Sequence, residues 1–190
     1  MDALSPPVMA TLRALGGDSL GGEVELTNHS EVENVVVMRA EESASWLAVI
    51  PVRGDGAAAA TVDELKALMD PPCRVVAVGL LDRCTNLRSR GDIDFFTEAE
   101  LQYNAIGHED QPRMRRLTPE EAAGVLDVIK LEDTRFLPVM TAGDIVARYY
   151  GFRAGDIVQC DRQTPSGEVS YYRCVGPSKD ASKDTREPAS

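Results

Sequence analysis

Residues 137–158 read LPVMTAGDIVARYYGFRAGDIV, and the architecture of the second half of the chain is legible from them. Asp144 can accept hydrogen bonds from the free amides of a helix start. Ile145 to Tyr150 follows as a short helix, with Ala147 keeping one face low and Gly151 suited to a left-handed stop. Gly155 permits a second turn, after which Ile157 to Cys160 and Val169 to Val175 form two strands. They are joined by the turn-rich Asp161 to Glu168, which contains Pro165 and Gly167.

Upstream of this stretch lies a helix with a defined start. Thr118 can cap it, Pro119 suits the first helical position, and Glu121 completes a capping box. Ala122, Val125, Leu126 and Ile129 recur at helical spacing and give it an apolar face. Together these elements predict a small α+β module without a pocket. The polar run His108 to Gln111 marks the passage from an earlier domain.

In that earlier domain Val8 to Leu15 is a short helix, and Gly16, Gly17, Gly21 and Gly22 fit a loop after it. Val35 to Met38 and Trp46 to Val52 are apolar, β-branched runs separated by a polar turn, and predict a strand pair. Val62, Leu65, Leu68 and Met69 fall on one helical face, with Thr61 as the cap and Pro71-Pro72 as the stop. Arg74 to Leu81, RVVAVGLL, is a continuous apolar run of the kind that forms a strand covered on both faces. The expectation is a layered α/β domain with a βαβ unit over residues 1–107, an α+β domain over 108–175, and a solvated tail over 176–190.

A chain of 190 residues buries roughly 70% of its unfolded surface and needs no covalent staple. Its net charge is -11, and residues 1–107 carry 17 acidic against 8 basic side chains. Autonomous duplex binding is therefore not expected, since phosphate neutralisation supplies most of such affinity. Cys73, Cys84, Cys160 and Cys174 include no close-spaced pair, and only His29 and His108 could complement them, so no zinc site and no cofactor is expected. No stretch approaches the roughly 20 apolar residues of a membrane span. Glu64-Leu65-Lys66, with Asp55 upstream, imitates a nuclease metal motif, but its residues lie in an expected helix where positions two apart diverge, so catalysis is not expected.

The 137–158 stretch, continued by Arg162 and the pair Tyr172-Arg173, resembles the signature of the family that contains the fifth subunit of eukaryotic RNA polymerases and its archaeal counterpart. The family text is L-P-x-I-x-x-x-D-P-x-A-R-Y-x-G-x-x-x-G-x-V-V, followed by an Arg-led hairpin ending in Y-R. Phe96 to Leu101 and Leu117 to Glu121 also resemble the approach to the family's C-terminal domain. The resemblance is specific over residues 95–175 and only topological over residues 30–94.

What the resemblance implies is a non-catalytic subunit of a nuclear DNA-directed RNA polymerase. Its C-terminal assembly domain would dock on the largest subunit, and its N-terminal jaw domain would lie beside downstream duplex DNA within the complex. No membrane or small-molecule substrate is implied. The partner-binding residues carried over are Asp144, Ala147, Arg148, Tyr149, Tyr150, Gly151, Gly155, Arg162, Tyr172 and Arg173, and the DNA-proximal candidates are Arg83, Arg88 and Arg90. Aromatic rings beside a fixed cation suit an interface anchor. The same residues also suit an internal role, with both tyrosines in the core and Arg148 paired within its own domain.

Two departures from the family pattern stand out. Ile145 replaces its proline, and Arg162-Gln163-Thr164-Pro165-Ser166-Gly167 is a shorter turn with its proline displaced. They point to a specialised paralogue, such as the polymerase I variant of kinetoplastid protists, or to a viral polymerase subunit.

Overall fold

The computed structural model describes residues 4–21, 23–28, 35–40, 46–52, 55–68, 73–79, 87 and 90–177. Two compact units divide the chain between Asn104 and Ala105, slightly before the boundary expected at residue 107. The expected tail lies outside the described residues beyond Pro177.

In the first unit, α1 (Pro6–Leu20) is followed by β1 (Val24–Asn28), β2 (Val36–Ala40) and β3 (Trp46–Val52). Then come α2 (Asp55–Leu68), β4 (Arg74–Gly79), β5 (Asp94–Thr97) and α3 (Glu98–Leu101). The sheet order is β1-β2-β3-β4-β5. The first three strands are antiparallel neighbours, whereas β3, β4 and β5 run parallel. The expected strand pair is β2–β3, and β3-α2-β4 is the expected βαβ unit.

Alternation along β4 sends Val75 and Ala77 to one face of the sheet and Val76 and Val78 to the other, and all four are buried. Val62 and Leu65 of α2 join the first pair in one core, while Leu68 of the same helix is exposed. On the sheet's other side α1 packs against β2 and β3 through Val8, Leu12 and Leu15.

Two helix boundaries differ from expectation. The first helix continues through Gly16 and Gly17 to Leu20 and stops at Gly21, whose φ is 82°. A Cβ on Gly16 would lie 2.8 Å from Met38 Sδ, so this glycine lets helix and sheet approach closely. The second helix begins at Asp55, six residues before the cap expected at Thr61, because the alanines of DGAAAATVDELKAL extend it backwards. Strands β1 and β5 were not anticipated.

The second unit contains β6 (Arg113–Arg116), α4 (Pro119–Val128), β7 (Val139–Thr141), α5 (Ile145–Tyr150), β8 (Ile157–Thr164) and β9 (Gly167–Gly176). Its sheet has the order β6-β8-β9-β7, with β7 parallel to β9 and the other pairs antiparallel. The β8–β9 hairpin closes tightly: Thr164 faces Gly167, so only Pro165 and Ser166 lie between the paired strands. Arg162 to Thr164 therefore extend a strand rather than forming a loop.

The helices cover opposite faces of this sheet. Val146 and Ala147 of α5 join Val158, Cys160 and Val175 in one core, to which Phe152 adds its ring. Ala122, Val125 and Leu126 of α4 pack against Leu117, Leu137 and Ile157 in another. No helix among the described residues is long and apolar enough to cross a membrane.

Candidate functional site

The helix of the 137–158 stretch is built as its residues dictate. Asp144 Oδ1 accepts from Val146 N–H at 2.8 Å, and Gly151 ends α5 with φ 69°. Gly155, φ 97°, turns the chain so that its N–H donates to Val175 O at 2.8 Å. Asp144 and the two glycines thus shape the module. Ile145 occupies the position of the family's proline at the first helical residue, where an amide is not needed for the helix.

The side chains expected to face outward divide into three groups. Ala147 is fully buried and Tyr149 is 3% exposed, so both pack within their own unit. A six-residue helix laid on a sheet must turn one face inward, and Val146, Ala147 and Tyr149 form it. Arg148 and Tyr150 are half-buried, with Arg148 Nε donating to Gly143 O at 3.1 Å. The Tyr150 ring meets Tyr149 edge-on and stacks on Phe152, each at 5.3 Å between centroids. The internal reading therefore fits Tyr149, and Arg162 alone of the expected arginines on the hairpin is fully at the surface.

Tyr172 and Arg173 do not share a surface. Strand alternation sends Tyr172 to the α4 side, where it packs with Ile157, and Arg173 to the α5 side with Tyr171. The Arg173 guanidinium carbon lies 5.8 Å from the Tyr171 ring centroid, a cation–π arrangement. Arg173 Nε is buried and has no hydrogen-bond partner among the described residues.

In the first unit, Arg83 and Arg88 lie outside the described residues. Arg90, the third of these candidates, has its guanidinium held by Asp92 and Asp63, at 2.7 and 2.8 Å. Hydrogen bonds to Asp92 and then Asp63 raise the Arg90 pKa, and the bond from Arg90 holds Asp92 well below the usual carboxylate range. Lys66 also pairs with Asp92, so the cluster offers no surplus positive charge. Glu64, Leu65 and Lys66 all lie within α2, with Leu65 sealed in the core, which is incompatible with a strand-borne metal motif. Among the described residues no group of three His, Cys, Asp or Glu side chains is placed to hold a metal ion. Cys73, Cys160 and Cys174 are free thiols, and burial pushes the first two up in pKa.

Other features were missed. An open groove between α4 and the sheet is lined by Leu117, Val125, Val128, Ile129, Tyr172 and Arg115. Val128 on its lip is 77% exposed, and Phe136 elsewhere in the unit is 69% exposed. The signal for the groove was present in the helical spacing, which fixes an apolar stripe without saying how wide a sheet covers it. At the rim Arg115 donates to Glu121 and to Gln159 Oε1, at 2.9 Å each.

Comparison with known proteins gives this geometry a context. Residues 103–175, nearly the described extent of the second unit, match the family described as RNA polymerase Rpb5, C-terminal domain. The DNA-directed RNA polymerases I, II, and III subunit RPABC1 of Caenorhabditis elegans is 39% identical over 84 residues, 44% of this chain and 39% of that protein. Its counterpart in Dictyostelium discoideum is 35% identical over 85 residues, 44% of this chain and 43% of its own length. The chain thus spans well under half the length of these eukaryotic relatives. DNA-directed RNA polymerase subunit Rpo5 of Methanothrix thermoacetophila is 41% identical over 69 residues, 36% of this chain but 87% of the archaeal protein.

Proposed function

This chain belongs to the RNA polymerase Rpb5 family, and from that premise we propose that it is a non-catalytic subunit of a nuclear DNA-directed RNA polymerase. The second unit fastens the protein to the largest subunit of the enzyme, and the first unit extends beside downstream DNA. The observation that carries this reading is the coincidence between the family match at residues 103–175 and a unit beginning at Ala105 with a sheet and two cores of its own. Exposed apolar side chains on that unit, Val128, Phe136, Val139 and Val169, support a role in assembly.

The neutral cluster at Arg90 and the acidic first half favour DNA contact only within the assembled enzyme. Ile145 and the two-residue hairpin turn support a copy dedicated to one polymerase, and in our reading that enzyme is polymerase I. The test is to tag the full chain, purify it from its own cells, and identify the co-purifying proteins by mass spectrometry. A largest polymerase subunit in near-equal amount is the expected result, and its identity names the host enzyme. Recovery of the chain free of polymerase subunits would overturn the proposal.

A further inference from the structure

Helix α4 carries three residues that its own stability argues against. Gly124 stands in its interior, where alanine would hold a helix better, and beyond the adjoining backbone no atom of the described residues lies within 4 Å of the position a Cβ would take. No close packing there calls for a glycine. Asp127 puts a carboxylate in the last turn, at the negative end of the helix dipole. Val128 holds a branched apolar side chain 77% exposed.

Helical spacing brings these residues together. Glu120, Gly124 and Asp127 are four and three positions apart, so they form one strip along the helix, with the glycine between two carboxylates. The neighbouring strip, Glu121, Val125 and Val128, borders the groove against the sheet, whose volume is about 430 Å³. Leu117 and Tyr172 add to its apolar wall, and its two charged residues, Arg115 and Glu121, bind each other at 2.9 Å. The outer lip is acidic. Glu120 is exposed, and Asp127 pairs with Lys130 on an open surface, a bond of little worth that another cation could replace. Helix α4 itself holds Glu120, Glu121 and Asp127 and no cation.

We propose that this groove receives a basic amphipathic helix of a separate protein. Apolar residues of that helix enter between α4 and the sheet, its backbone crosses α4 at Gly124, and Lys or Arg side chains on its flanks meet Glu120 and Asp127. The missing side chain at Gly124 lets the two helix axes come close, since their separation is set by the side chains at the crossing. Anchors three and four positions apart are what an apolar groove takes from a helix.

A cavity of this size admits the anchors of one helix, well below the area of a permanent subunit interface, so the partner is one that joins and leaves. The contact is additional to the one that fastens the second unit in polymerase and does not depend on it. Nucleic acid is a poor occupant, because the carboxylates at Glu120 and Asp127 repel phosphates. The chain's own residues 178–190 offer Lys179, Lys183 and Arg186, but apart from Pro188 their apolar members are only Ala181 and Ala189, too small for anchors.

The test uses the purified full chain and a fluorescent peptide of about 18 residues, five helical turns, with leucines three and four positions apart and lysines elsewhere. Fluorescence anisotropy should show saturable binding that weakens as salt is raised. A peptide of the same composition with its leucines scattered around the helix, and one with glutamates for the lysines, should each bind about tenfold more weakly or worse. Gly124→Leu, which fills the crossing point and leaves the charge alone, should weaken the ordered peptide by about tenfold and melt no lower than the wild type. Val128→Ser, at an exposed position, and the pair Glu120→Lys with Asp127→Lys should weaken it too. Glu168→Lys, further along the hairpin, should leave it nearly unchanged.

Equal binding by the scattered peptide would show attraction to an acidic chain rather than to a shaped site, and equal binding by Gly124→Leu or Val128→Ser would remove the groove from the contact. Either result overturns the proposal, as does failure of the ordered peptide to bind. Competition by a peptide of residues 178–190 would give the groove to the chain's own tail and overturn it as well. None of these outcomes alters co-purification with polymerase, so the two readings fail separately.

Discussion

Arg148 Nε donates to the carbonyl of Gly143 at 3.1 Å, so the guanidinium is turned back over the turn that leads into its own helix. The next residue, Tyr149, is buried against its own unit. Replacing the two together would remove core and surface at once, and loss of a partner would then report unfolding. The single change Tyr149→Ala should cost about 3–5 kcal/mol of stability in urea titration. Tyr149→Phe, which keeps the ring, should cost less than half as much. Equal stability of Tyr149→Ala and wild type would show that the ring is not a packing element.

Helix α4 begins with both halves of a capping box: Glu121 N–H donates to Thr118 Oγ1 at 3.2 Å, and Thr118 N–H to Glu121 Oε2 at 2.9 Å. No residue of this helix is fully buried, so the cap carries more of its stability than in a helix sealed by packing. Thr118→Ala should destabilise the protein by about 1 kcal/mol, and Thr118→Ser by much less. Denaturant midpoints of the two variants check this.

Gly155 and Gly124 should respond oppositely to the same change. Beyond the adjoining backbone, no atom of the described residues lies within 4 Å of the position a Cβ would take at either, but only Gly155 has a positive φ, 97°. Gly155→Ala should cost about 1–2 kcal/mol through backbone strain alone. Gly124→Ala, in the interior of α4, should add about 0.5–1 kcal/mol. Thermal melts that move in the same direction would contradict this account.

The bond from Arg90 lowers the pKa of Asp92 below its ordinary 3.8, with help from Lys66. The unfolded chain therefore takes up a proton at this carboxyl before the folded one does. Its stabilising contribution is complete above about pH 5 and is lost as pH falls through the ordinary value towards the folded one. Asp92→Asn should melt below the wild type at neutral pH, and the gap should close at acid pH. A gap of constant size from pH 7 to pH 2 would exclude this origin.

The parts of the fold that could be read from the residues are those specified locally. Thr118, Asp144 and Gly151 mark helix ends through bonds made within a few positions, and all three do so in the structure. The β-branched runs at Val35 and Trp46 form paired strands for the same reason. Strands β6 and β7 carry weaker patterns, RMRR and VMT, and exist because distant partners supply their hydrogen bonds. Gly16 shows the opposite case: a residue that usually breaks a helix sits inside one because the sheet at Met38 comes so close. Within the candidate site, the types of Tyr149 and Tyr172 were visible but their direction was not, since direction depends on which face the neighbouring helix takes.

Strand β6 is the earliest strand of the second sheet in the chain, yet among the described residues it pairs only with β8, Met114 lying opposite Cys160. During synthesis it must wait for more than forty further residues before its backbone finds a mate. The β8–β9 ribbon is therefore the seed onto which the earlier strand closes, and the short parallel strand at Val139 docks on the same ribbon. Until that ribbon has been made, the arginine-rich strand has no mate in its own sheet.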